Sequence, residues 1–512
     1  MMHLRPFVAH RRLLRAVAAA TCATLLVSCG GSSTASNQTT PNTQTAPSTP
    51  PTPSTYRVSA SVSGLSGTGL VLQINTGGTL QVPTNGTITF PTPLATGTSY
   101  QVTVQSPPTS PQQACTVADG SGTIGAADVM INVTCQTVVV TTLYSFTGNP
   151  PVSSDGAGPN GSLVQGADGS LYGTTSMTVF RVTTSGVETT LYAFPSSTSV
   201  DYVGGATAGL ILASDGNFYG TTRGTGIGNN IAGTVYQISP SGTESAIYTW
   251  QAPDSGDLPL IGGVIQGSSG LLYGTVYGSS VFSLETTGSG ETEVPLSGYG
   301  CDGVQSSLVQ AHDGNLYGIS TCFGGTIAGS VFKAVPGSAA GAVTTIDMIG
   351  SIPAVGNAVA TFPLIEGNDG NLYGTISTGG GACPQNQRCG NVFRITPSGA
   401  ITVLYTFGTS PSDGQNPSGA LVLASDGNFY GTTLAGGTPN ANCKAANGCG
   451  TLYRITPSGT ETVLYSFGIN ASDGIGPSGA LVQASDGDLY GTTSAGGSTN
   501  SGTVFKLQMN AN

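Results

Sequence analysis

One phrase, Asp-Gly-x-Leu/Phe-Tyr-Gly, returns seven times over the last three-quarters of the chain. Its tyrosine falls at Tyr172, Tyr219, Tyr273, Tyr317, Tyr373, Tyr430 and Tyr490, at intervals of 44 to 60 residues. Self-similarity at such a period marks one supersecondary unit that buries its apolar surface only by stacking on its neighbours. The sixth copy shows the unit whole. Strand a covers 420–424, and a turn at Asp426-Gly427-Asn428 leads to strand b at 429–433. Strand c covers 451–456, and the turn Pro457-Ser458-Gly459 leads to strand d at 462–467. Asp-Gly and Ser-Gly supply the positive φ that tight hairpins need. A four-stranded meander repeated seven times is the requirement of a β-propeller.

The ends of the array are offset. The last unit stops after strand c at 502–507, and an orphan strand d stands before the first unit at 141–146. The strand types come out equal in number only if the first segment completes the last sheet, which also covers an open sheet edge. The predicted fold is therefore all-β: a seven-bladed β-propeller over 138–512, closed by an N-terminal strand and preceded by a small β-sandwich and a disordered tether.

The sandwich is expected over 56–137. Several short runs of alternating apolar residues, separated by Asn75-Thr76-Gly77-Gly78 and Asn85-Gly86, read as strands of an immunoglobulin-like unit. Residues 30–55 are Ser, Thr, Pro, Asn and Gln with almost nothing apolar, the composition of a flexible tether. Residues 1–29 read as a leader. Arg5, Arg11, Arg12 and Arg15 precede a short apolar stretch, Ala16 to Val27, which is too short for an ordinary membrane span. The following Leu26-Val27-Ser28-Cys29 resembles the lipobox of bacterial lipoproteins, and this resemblance makes Cys29 the lipidated first residue of an exported, envelope-anchored chain.

Removing the leader leaves nine bases against 24 acids, a net of −15. That excludes nucleic acid as a natural partner, since its binding rests on Lys and Arg meeting phosphates. Eight further cysteines fall in neighbouring pairs: Cys115/Cys135, Cys301/Cys322, Cys383/Cys389 and Cys443/Cys449. Disulfides suit an oxidising compartment. A zinc site built from the last two pairs is the alternative, disfavoured because close C-x-x-C spacing is missing.

The full repeat is Gly-x-Leu-Val-Gln-x-x-Asp-Gly-x-Leu-Tyr-Gly-Thr-Thr, then Gly-Thr-Val-Phe-Arg-Ile-Thr-Pro-Ser-Gly, then Thr-Val-Leu-Tyr-Ser-Phe. It resembles the bacterial GloVer tandem repeat, most clearly over 390–507. The third and fourth units depart from it, Ser269-Gly270 standing for Asp-Gly in the third. The resemblance implies repeats with a choice of anchor, here lipid, and carries no catalytic residues. The Asp-Gly-Asn-Leu-Tyr turn is more loosely similar to those of NHL-type and gluconolactonase-like propellers, which bears on fold and not on function.

Every strand b tyrosine is followed by glycine, and every strand c carries an aromatic at Phe180, Tyr236, Phe282, Phe332, Phe393, Tyr453 or Phe505. Glycine inside a strand marks close approach by another group, so rings packed over glycines are expected. Arg181, Lys333, Arg394, Arg454 and Lys506 follow those aromatics, and pairing with glutamates opening strand d, such as Glu188 and Glu461, or stacking on rings is expected of them. In a meander the a–b and c–d turns share one face and the b–c and d–a connections share the other. The second set is long and variable and contains Cys301, Cys322, Cys383, Cys389, Cys443 and Cys449, so binding is expected there.

The d–a connections contain Asp155, Asp201, Asp254 with Asp257, Asp302, Asp413 and Asp473. Converging on a central channel, these would form a cation site suited to calcium; the preferred reading is that each caps its own turn. Glu366 takes a strand a position filled elsewhere by glutamine or leucine, and is the best single candidate for an active or metal-binding group. His312, in an a–b turn, is the only histidine after the leader. No G-x-S-x-G, H-E-x-x-H or Walker motif is present. The expected function is a monomeric, non-enzymatic module binding protein or glycan without a resident cofactor, touching membrane through its lipid alone. A metal-dependent hydrolase or lactonase-like enzyme is the alternative.

Overall fold

Residues 54–137 alternate buried and open positions strand after strand, so each strand has one face to bury. The computed structural model describes residues 54–75, 77–108, 113–148, 155–195, 205–223, 231–251, 262–276, 280–295, 303–304, 307–321, 327–336, 343–353, 362–378, 389–410, 412–438, 442–443 and 448–508. Two four-stranded sheets form in the first segment. One orders Gly86–Thr89, Val58–Ser63, Val129–Thr137 and Gln113–Ala118; the other orders Gly78–Val82, Leu70–Ile74, Ser99–Ser106 and Ser121–Thr123. Val58, Ala60, Val62, Leu72, Phe90, Ile131 and Val133 fill one core between them. The Cys115–Cys135 disulfide links register partners on adjacent strands, so it staples one sheet and not the two together.

The repeat region makes seven antiparallel sheets among the described residues, each in the order a, b, c, d. The first contains Val164–Gln165, Leu171–Thr174, Thr178–Val182 and Glu188–Ala193. The sixth contains Val422–Leu423, Phe429–Gly436, Thr451–Ile455 and Glu461–Ser466, with Gly414–Pro417 as an extra edge strand. Strand a is thus shorter than the expected 420–424. The backbone just before it approaches the next sheet: a Cβ on Gly419 would run into the carbonyl of Gly479. The third sheet keeps a strand at Thr292–Pro295 although its sequence departs from the repeat.

In the seventh sheet, Gly474–Gln483, Leu489–Gly496 and Thr503–Gln508 are completed by Val139–Ser145, the expected orphan strand. Val139 is the register partner of Gln508, and Ser145 that of Thr503. The apolar residues pack between consecutive sheets. Tyr172 and Phe218 join the first and second, and Leu464 and Phe505 the sixth and seventh. Phe146, Leu163, Phe180 and Tyr490 join the seventh to the first. One ring contact recurs along the series. A strand d aromatic meets the strand c aromatic of the next sheet edge-on or tilted, as in Trp250–Phe282 at 4.8 Å, Phe407–Tyr453 at 4.9 Å and Phe467–Phe505 at 5.0 Å. Phe146–Phe180 at 4.9 Å is the same contact between the last sheet and the first.

The glycines after the tyrosines lie under those rings. A Cβ on Gly173, Gly274, Gly318, Gly374 or Gly491 would stand 2.5–2.6 Å from the Cζ of Phe180, Phe282, Phe332, Phe393 or Phe505. No side chain fits there.

Candidate functional site

The repeated phrase is a self-contained hydrogen-bonding unit. The tyrosine hydroxyl, four residues after the turn aspartate, reaches back and donates to it: Tyr219 to Asp215 at 2.7 Å, Tyr373 to Asp369 at 2.8 Å, Tyr490 to Asp486 at 2.6 Å. The other carboxylate oxygen accepts the backbone amide two residues on, as in Asn217 to Asp215 at 3.0 Å, which is an Asx-turn. In the third unit, Ser269 Oγ lies 2.9 Å from Tyr273 Oη and takes the place of the carboxylate. The basic residues of strand c join this cluster. Arg181 pairs with Asp168 at 3.8 Å, Lys333 with Asp313 at 3.8 Å, and Lys506 with Asp488 at 2.6 Å. For Arg181, Lys333 and Lys506 the expected pairing with strand d glutamates is thus replaced by turn aspartates, while the expected ring stacking is found at Lys506, whose Nζ lies 5.4 Å from the centre of the Tyr490 ring. Strand register sets Arg181 opposite Tyr172 and Lys506 opposite Tyr490, so each base lies beside the turn aspartate.

Partial burial pushes Asp168, Asp215, Asp313, Asp369, Asp426 and Asp486 upward, but the hydrogen bonds they accept outweigh it and hold all six below the ordinary carboxylate range. Against them, burial raises Glu188, Glu244, Asp473 and Glu461. A lowered carboxyl stabilises the fold above its unfolded pKa of about 3.9 and loses that contribution as pH falls. A raised one stabilises below its unfolded value and loses that contribution as pH rises through its folded pKa. The melting temperature in chelator is therefore expected to peak at about pH 4–6 and to fall on both sides. A scan from pH 2.5 to 8 that rises throughout contradicts this balance.

Strand a carries a second device, linking one sheet to the next. Gln165 accepts from the Ser485 amide of the seventh sheet at 2.8 Å, Gln266 from Ser214 at 2.7 Å, Gln310 from Ser268 at 2.7 Å and Gln483 from Ser425 at 2.8 Å. Each glutamine also donates to a carbonyl in its own turn, as Gln310 does to Gly314 at 2.9 Å. Glu366 takes the same place and accepts from the His312 amide at 2.6 Å. The geometry gives it a structural latch, and gives His312 a turn position whose backbone is the donor. A carboxylate has no N–H to offer its own turn. Glu366→Gln restores that donor, so melting should stay unchanged or rise by the value of one hydrogen bond, about 1 kcal/mol. A loss of stability or of ligand binding would return Glu366 to a functional role.

Among the described residues the loop aspartates do not gather. Asp155 accepts from Tyr144 Oη at 2.7 Å and from the Thr147 amide at 2.8 Å. Asp413 accepts from Tyr405 Oη at 3.0 Å and the Thr409 amide at 2.9 Å. Asp473 accepts from Tyr465 Oη at 3.0 Å and the Gly468 amide at 2.7 Å. Each ties its own connection to its own strand d. Asp201, Asp254, Asp257 and Asp302 lie outside the described residues, as do Cys29, Cys301, Cys322 and Cys383. Among the described residues no three His, Cys, Asp or Glu side chains come together. Cys443–Cys449 closes a b–c loop, with Asn442 Nδ2 bonded to the Gly468 carbonyl at 2.9 Å, and Cys389 is likewise disulfide-bonded.

One cluster was not anticipated. Glu461, Tyr405 and Asp413 line a cleft of about 780 Å³ between the sandwich and the outer strands of the fifth and sixth sheets. The sandwich touches the repeats here through Ser412 Oγ and the Gln105 carbonyl at 3.2 Å. The glutamate that opens strand d was the available signal, but what covers it depends on where the sandwich docks.

A model described as the Gloeobacter/Verrucomicrobia repeat matches residues 209–443 and 385–512. The chain belongs to this repeat family. No curated protein matches it. Among solved structures, the repeat protein is similar to a streptogramin B lyase at 18% identity, covering 73% of this chain and 98% of that one with a TM-score of 0.48. It is also similar to a virginiamycin B lyase from Staphylococcus aureus at 16% identity, with 73% and 99% covered and a TM-score of 0.45. The extracellular domain of a hybrid two-component system from B. thetaiotaomicron is 13% identical, with 76% and 43% covered and a TM-score of 0.45.

Proposed function

We propose that the seven sheets are the blades of one closed ring, and that this ring is an exported, lipid-anchored binding or scaffold module. It holds a protein or glycan on the face formed by the b–c and d–a connections. Closure is supported by the strand pairing, apolar core, ring contact and glutamine latch that run between the seventh and first sheets as they do elsewhere in the series. Export is supported by the disulfides at Cys115–Cys135 and Cys443–Cys449. Anchoring rests on the lipobox-like segment ending at Cys29, and Cys29→Ser should release the chain from the membrane fraction.

The observation that carries the choice of face is the contrast between turns. The a–b turns vary little, and their polar groups are consumed by Asp–Tyr bonds and glutamine latches. The c–d turns are closed by their own hydroxyls, as in Thr396–Ser398 and Thr456–Ser458 at 2.8 Å. The opposite connections differ in length and composition and are stapled by disulfides, so they offer variable chemistry on a constant frame. The test is a glycan array and an envelope-extract capture with the mature chain, repeated after residues 437–449 are replaced by a short Gly/Ser link. A ligand lost with the loop supports the reading. A ligand that survives the replacement but is lost on altering several a–b turns overturns it.

A further inference from the structure

The cleft beneath the sandwich holds two anionic oxygens that the turn chemistry leaves unanswered. Asp413 is only 3% exposed, and its Oδ2 takes the bonds from Tyr405 and Thr409. Among the described residues its Oδ1 has no close hydrogen-bond partner, although the Gly414 amide is near enough to hold the carboxyl down somewhat. Glu461 is half-buried as a residue, and the Tyr405 hydroxyl lies close enough to favour its charged form, yet its Oε1 is shielded from solvent and has no close hydrogen-bond partner among the described residues. At the same position in the first sheet, Glu188 takes a bond from Thr190 Oγ1 at 3.1 Å. The buried Tyr453 hydroxyl is a third oxygen without a partner, within electrostatic reach of Glu461. Arg454 also lies in that range, but it is shared with Asp426 and Tyr430.

An anionic oxygen held out of water costs several kcal/mol unless a counter-charge sits beside it. We propose that the cleft is a divalent-cation site, best suited to calcium, in which Asp413 Oδ1 and Glu461 Oε1 supply the charge. Tyrosine and wall hydroxyls, backbone carbonyls and water complete the shell. Calcium accepts six to eight oxygens in irregular geometry, whereas magnesium demands a near-ideal octahedron. Among the described residues the one cysteine lining the cleft, Cys115, is in a disulfide, so they offer no soft-metal set. Burial pushes both carboxyls up, and in Glu461 the charge of Asp413 adds to it. An ion held on the repeat side of this cleft would bear on how the sandwich docks against the d–a connection that contains Asp413.

The test is tyrosine-sensitised terbium luminescence of the chelator-stripped mature chain, with calcium and magnesium as competitors. The expected result is emission that calcium displaces at least ten-fold more effectively than magnesium. Glu461→Gln should weaken terbium binding ten-fold or more while leaving every turn bond of Asp413 in place, so that this variant folds. Asp413→Asn is the second variant. Emission of equal strength and affinity in both variants overturns the proposal by placing the ion elsewhere. It is also overturned if no emission appears and melting falls with rising pH equally with and without calcium, since the two carboxyls then share a proton.

Discussion

Replacing residues 139–146 by eight Gly and Ser residues is expected to lower the melting temperature by about 10 °C or more. The replacement removes Phe146, fully buried between the seventh and first sheets, and the partly buried Leu143 and Tyr144 beside it. Truncating one buried phenylalanine costs about 3–5 kcal/mol. The loss here exceeds about 5 kcal/mol, and in a domain this large each kcal/mol moves melting by roughly 2 °C. Phe146 also lends its amide to the Gly502 carbonyl at 3.0 Å. The exchange further bares the backbone of Thr503–Gln508 as an unpaired edge, open to intermolecular pairing. Loss of cooperativity and concentration-dependent aggregation should accompany the drop. The same exchange at residues 40–47, in the Ser/Thr/Pro-rich stretch before the sandwich, should leave melting unchanged. Calorimetry of both variants checks the pair of outcomes.

Gly374→Val is the second change with a large expected effect. Its Cβ would fall 2.6 Å from Phe393 Cζ and 2.8 Å from Leu364 Cδ2, and Phe393 is fully buried. Neither ring nor leucine has free volume to retreat into, so overpacking should cost about 3 kcal/mol or more and give mostly insoluble protein. The origin of the cost can be isolated. Gly374→Ala alone should destabilise, and Gly374→Ala with Phe393→Leu should recover a large part of the loss, because residues in contact do not behave additively. Additive losses in that double-mutant cycle would mean that strand conformation, and not ring contact, keeps glycine at this position.

These two positions also mark what could be read before the structure was known. The offset of the strand types placed 141–146 beside the last unit, and Val139–Ser145 does pair with Thr503–Gln508. The alternation of glycine with aromatic rings anticipated the contact of Gly374 with Phe393. Both follow from periodicities within one unit, and a repeated unit displays them seven times. What escaped depends on relations between units. Gln165 and Ser485 are 320 residues apart, and nothing local says that one accepts from the other. Glu366 stood out as the one carboxylate in a column of glutamines and leucines, yet its reach to His312 shows the glutamine latch with one donor missing. The bases of strand c were matched to the wrong acids because hairpin register, and not sequence proximity, decides that Arg181 faces Tyr172. The Asp413–Glu461 pair was hidden for a further reason: the cleft it lines takes one of its walls from the sandwich.

A closed ring requires the two ends of the repeat region to lie side by side in one sheet. Thr141 and Lys506 are register partners there although 365 positions separate them. Thr141→Cys with Lys506→Cys, oxidised under native conditions and mapped by peptide mass spectrometry, should give one intramolecular disulfide in nearly every molecule, and none when oxidation is carried out in denaturant. A native protein whose two new cysteines stay reduced, or pair only between molecules, would contradict the closed ring.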